Sequence, residues 1–149
     1  MWTVEDEDAD GVLGHHLSLA VAILRGSLDE PFFARLERLV AVTRAAHPDG
    51  FSILIVRAGE PGRMSAPMRQ RALDLLGENR PRGFAYVLNR GGLRGRMARA
   101  GMNAALLAAP FPGKVFGDLE AALGWLSALP GQRESLASVG AELRRLAEA

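Results

Sequence analysis

Two kinds of apolar spacing alternate along the chain and predict its elements. From Leu17 to Leu24 the larger apolar residues stand at 17, 19, 21 and 23 with small ones between. This is the period of a strand packed on both faces, and so central in a sheet. The continuous runs Phe51-Ser52-Ile53-Leu54-Ile55-Val56 and Gly83-Phe84-Ala85-Tyr86-Val87-Leu88 predict two further buried strands, and Lys114-Val115-Phe116 a short last one. Helical periods fall between them. Asp29 caps a helix with Pro31 in its first turn and Phe32, Leu36, Leu39, Val40 and Thr43 on one face, ending near His47-Pro48. Ser65 caps a second, with Met68, Ala72, Leu75 and Leu76 inward and Gly77 at its end. A helix of small residues follows over 93–109, stopped by Pro110 and Pro112. Asp118 caps a fourth helix, whose inward face is Leu119, Ala122, Leu123 and Leu126, broken at Pro130-Gly131.

The ends of the chain carry additions. Trp2-Thr3-Val4, the turn pair Asp10-Gly11 and Val12-Leu13 predict an acidic hairpin over 1–14. A last helix over 132–147 places Leu136, Val139, Leu143 and Leu146 at spacings of three, four and three. The order βαβαβαβα over 17–129 predicts the α/β class: one domain over 1–130 with a mixed sheet of four to five strands, a parallel core flanked by helices, and an extra C-terminal amphipathic helix over 131–149. The stripe on that helix is expected to pack back onto the domain or, by preference, against the same helix of a second copy in a homodimer.

Composition narrows the chemistry. With 48% hydrophobic and 23% charged residues over 149 positions, the chain has the balance of one globular domain. Zero cysteines exclude disulfides, thiolate metal sites and a thiol nucleophile. An acidic start and the lack of an apolar run of ~20 residues speak against a secretory signal or a membrane span, so a cytoplasmic location is expected.

The net charge of +1 conceals a segregation. Glu5, Asp6, Glu7, Asp8 and Asp10 crowd the start, whereas ten arginines face three acids from Arg57 to Arg99. The basic stretch suits an anionic partner, but its aromatics, Phe84 and Tyr86, lie in a strand rather than among the arginines, so nucleic-acid binding is not expected. Arg supplies seventeen of the eighteen basic residues, which fits a GC-rich coding bias on solvated faces equally well.

Motifs with defined chemistry fail one by one. Asp6-x-Asp8-x-Asp10-Gly11 copies half of a calcium loop, yet the twelfth position is Leu17 rather than a bidentate Glu. His15 and His16 are adjacent and point to opposite sheet faces, and His47 ends a helix. No G-x-S-x-G elbow is present. Gly91-Gly92-Leu93-Arg94, between a strand and a helix, has backbone groups placed to contact an anion, with Gly91, Gly92 and Arg94 as the candidates, although it matches no phosphate-loop pattern. No cofactor, metal or catalytic residue is expected.

Three stretches carry a family resemblance: Leu24-Arg25-Gly26 before Ser27-Leu28-Asp29, the strand Ile53-Leu54-Ile55-Val56, and the run Val115-Phe116-Gly117-Asp118-Leu119-Glu120-Ala121-Ala122-Leu123-Gly124-Trp125-Leu126. With the element order, they resemble the STAS-like (SpoIIAA-like) family of bacterial proteins, related to anti-sigma-factor antagonists, over about residues 12–129. The closing run looks like that family's last strand and helix. The acidic residue and Ser-Gly pair of the antagonists' regulated loop are replaced by Val56-Arg57-Ala58-Gly59 and a longer insertion. The resemblance implies a non-enzymatic regulatory protein–protein interaction module with a protein partner. Its partner-reading surface would be the start of the second helix, at Arg63, Met64, Ser65 and Arg69, where Ser65 is either a plain cap or a modification site. The alternative is a carrier of a small apolar or lipid-like ligand, because the Ala and Gly faces of the helix over 93–109 could leave a groove.

Overall fold

The computed structural model describes residues 2–26, 28–58 and 65–149. Six strands form one mixed sheet: β1 (Trp2–Asp8), β2 (Gly11–His16), β3 (Leu19–Leu24), β4 (Ser52–Arg57), β5 (Gly83–Leu88) and β6 (Gly113–Phe116). Five α-helices accompany them: α1 (Glu30–Ala46), α2 (Ala66–Asn79), α3 (Gly92–Leu106), α4 (Leu119–Ser127) and α5 (Gly140–Glu148). The α/β class and the parallel core stand as expected, with six strands rather than four to five. The added strands come from the N-terminal hairpin, which is longer than 1–14 and joins the sheet through β2, antiparallel to β3. Leu17, at a φ of 53°, lies in the tight turn between β2 and β3, so β3 starts two residues later than its apolar period suggests.

Strand order equals sequence order, with β3 to β6 all parallel. Each parallel crossover therefore steps one strand further in the same direction. Right-handed crossovers that never reverse put their helices on one side of the sheet. One apolar layer accordingly joins α1 and α2 residues such as Phe33, Leu36 and Leu76 to Ala20, Ala22, Ile53 and Phe84. The other strand face, with Val21, Ile23, Leu54, Val56 and Val87, is covered by α4 and the C-terminal segment.

That segment corrects two expectations. Residues 132–147 do not form one helix: a single 3-10 turn over Ala137–Val139 leads into α5. Side-chain bonds hold the preceding stretch in a non-helical path, since the Leu136 amide donates to Ser127 Oγ at 2.9 Å and the Gln132 amide nitrogen to the Glu134 carbonyl at 2.9 Å. Leu136, Val139, Leu143 and Leu146 are each at most 5% exposed and lie inside the chain's own core. They are not available as a homodimer contact. Arg25 locks the arrangement by donating to the Leu146 carbonyl through Nε at 3.3 Å and Nη2 at 2.7 Å.

Local capping matches the residue chemistry. Asp29, Ser65 and Asp118 accept from the amides of Phe32, Met68 and Ala121 at 2.9, 3.2 and 2.8 Å. α2 runs past Gly77 to Asn79, whose side chain donates to the Leu75 carbonyl, and Arg80 closes it in the left-handed region. The acidic hairpin tip is a turn, with Asp8 accepting from the Asp10 and Gly11 amides. Asp6 and Asp8 pair with Arg35 of α1, Glu7 with Arg25 and Glu5 with His15. These charges are spent on holding the exposed edge strand, a row that also discourages edge-to-edge pairing.

Candidate functional site

In β3, β4 and β5 every residue is buried except Ile55 and Tyr86. The two are direct partners across the β4–β5 ladder and point to the side carrying α1, α2 and α3. The cause is the helix above them. The row of α3 that faces the sheet is Gly95, Arg99 and Asn103, and only Gly95 of the whole helix is buried. Arg99 Nη1 donates to the carbonyls of Leu88 and Arg90, and Asn103 both accepts from and donates to the Val115 backbone. A row so small and polar satisfies strand ends but fills little space.

The space left is a cavity of about 250 Å³ between α2, α3 and the sheet. Its floor is Ile53, Ile55, Phe84 and Tyr86, its walls include Leu76, Ala72, Ala105 and Leu106, and half-exposed Leu73 and Met102 stand at the rim. Arg69 and Tyr86 contribute to the lining by their apolar parts, and almost no polar surface faces the hollow. The Tyr86 hydroxyl has no hydrogen-bond partner among the described residues. Burial pushes its phenol above the ordinary value of 10.0, and the positive charge of Arg57 partly offsets this. Tyr86 is therefore a neutral donor at physiological pH. Arg57 ends β4 on the same side, buried, with Nη1 donating to the Gly26 carbonyl and Nε without a partner.

The residues singled out from the sequence divide around this cavity. Arg69 lines it. Ser65 is an exposed helix cap near it in the chain, and Arg63 and Met64 lie outside the described residues. Gly91, Gly92 and Arg94 are exposed at the start of α3, apart from the cavity lining. Gly92 has a φ of +73°, so the turn alone requires glycine there. The histidines occupy three separate places: His15 Nδ1 is 3.0 Å from Glu5, His16 Nε2 is 3.3 Å from Ser138 Oγ, and His47 borders a polar hollow with Asp49 and Arg82. Among the described residues no group of three or more His, Asp or Glu could hold a metal ion.

No motif in the sequence marks Tyr86, Ile55 or Arg57 as a site residue. The signal the sequence offers is a tyrosine in an apolar strand followed by a helix rich in glycine and alanine. No helix among the described residues is long and apolar enough to cross a membrane. The chain matches no family model, no curated protein and no solved structure.

Proposed function

We propose that this protein is a non-enzymatic binding module that holds a small apolar molecule in the cavity between α2 and α3. The observation that carries the reading is the cavity itself: an almost wholly apolar hollow beside two adjacent, incompletely buried core residues. Its volume lies just under the roughly 300–1,000 Å³ of ordinary ligand pockets, so the occupant is compact or a single short chain. The leucines and isoleucines would supply affinity by burial, and a lining with almost no polar surface selects an occupant that is apolar over its buried part. The STAS-like resemblance and a cytoplasmic location are compatible with this role and form part of the proposal.

Native mass spectrometry of protein purified from cells tests the reading directly, and titration with anilinonaphthalene sulfonate tests the cavity. A retained small molecule is expected, together with dye binding that Ala72→Phe reduces at least tenfold while the fold is kept. A stoichiometric protein partner without any small molecule would instead support the regulatory interaction module. Dye binding unaffected by Ala72→Phe would remove the cavity from either account.

A further inference from the structure

The orientation of α3 reverses that of an ordinary surface helix. Its polar and small row, Gly95, Arg99 and Asn103, faces the sheet. The opposite row, Leu93, Met97, Ala100, Ala104 and Leu107, recurs at spacings of four, three, four and three and is exposed throughout. Leu93 is 67% exposed, Met97 65% and Leu107 88%. Of seven exposed large hydrophobic residues among the described ones, four belong to α3 and its C-cap. Exposure of this kind is costly in water and marks an interaction surface.

The charge around the row selects the partner. No Asp or Glu occurs from Asn79 to Gly117, a stretch holding six arginines and Lys114. Arg94 and Arg96 flank the apolar row, exposed and without an ion pair among the described residues. An outward apolar stripe with arginines beside it, on a helix roughly 22 Å long, has the features of a helix that lies in a lipid interface. Nucleic acid would use the arginines but leave the leucines and methionine in water, and the row offers no aromatic for base stacking.

We propose that the outer face of α3 docks the protein on an anionic lipid surface. Leu93, Met97 and Leu107 enter the acyl boundary, and Arg94 and Arg96 meet the headgroup phosphates. The sheet stays away from the lipid, because the docking row lies on the face of α3 opposite the one that packs on the sheet. This proposal does not depend on what fills the cavity; a lipid-borne occupant would, however, meet the protein at the helix that walls its site.

Co-sedimentation with vesicles tests it, using phosphatidylglycerol mixed with phosphatidylcholine against phosphatidylcholine alone. Binding is expected only to the anionic vesicles, weakened by 0.5 M NaCl. Because the altered side chains are exposed, circular dichroism and the melting temperature should stay at wild-type values in two double variants. Both Leu93→Glu with Met97→Glu and Arg94→Glu with Arg96→Glu should lower the partition coefficient at least ~10-fold. Absence of binding to anionic vesicles overturns the proposal, as does binding that both variants retain. It is equally overturned if the apolar variant abolishes only self-association in sedimentation velocity, or if the arginine variant abolishes only retention on duplex DNA.

Discussion

Gly95 shows how one side chain, or its lack, positions a whole element. A Cβ there would run into the Arg90 carbonyl, a backbone atom that cannot swing away. Gly101, on the same helix, has nothing within 4 Å of such a Cβ and no positive φ. The same substitution should thus have opposite signs at the two positions. Gly95→Ala is expected to destabilise by about 1–3 kcal/mol, and Gly101→Ala to stabilise by about 0.5–1 kcal/mol, both read from urea unfolding. Tyr86 offers a second test. It is the one tyrosine in the chain, so phenolate absorbance reports it alone. Its folded-state value is raised above the unfolded one by burial. The folded state therefore holds the proton more tightly, and the associated stability is full below about pH 10 and lost as pH rises through the folded value. A fall in stability above pH 10 that disappears in Tyr86→Phe is the expected result.

Among the elements, α3 and the C-terminal segment show what a stripe leaves open. The stripe from Leu136 to Leu146 allows packing onto the domain or, by preference, against a second copy, and the structure buries it in the chain's own core. Leu143→Ala should cost about 2–5 kcal/mol. Its unfolding midpoint should not change with protein concentration, whereas a lost dimer contact would make it do so. α3, by contrast, reads as an ordinary helix over Ala and Gly and yet keeps Leu93, Met97 and Leu107 outward. The difference lies in what each helix meets. Behind the C-terminal segment is a bare apolar strand face, whereas behind α3 are strand ends whose carbonyls and amides need polar partners such as Arg99 and Asn103.

For the whole molecule the decisive fact is the unreversed strand order. A sheet wound in one direction receives all its crossover helices on one side and must find cover for the other from elsewhere in the chain. α4 alone is nine residues long, too short to cover the strands it faces, and the 3-10 turn and α5 complete the layer. A chain ending at residue 130 is therefore expected to lose cooperative unfolding and bind anilinonaphthalene sulfonate over its uncovered sheet, as a molten state does. A sharp thermal transition within a few degrees of the full chain would show instead that the C-terminal segment is dispensable.

The sequence by itself determined the element types and most of their limits. The apolar runs at 17–24, 51–56 and 83–88 announce strands that form within two residues of those limits, and Asp29, Ser65 and Asp118 announce helix starts by cap chemistry that is local to three or four residues. Only the tertiary structure decided the partners. Whether Leu136 to Leu146 cover a sheet or another chain, whether Gly95 or Leu93 faces inward, and whether Ile55 and Tyr86 meet below a gap all depend on strand order and helix rotation. Hydrophobic attraction has no direction, so a stripe records that a face seeks cover and leaves its partner to the arrangement of the rest.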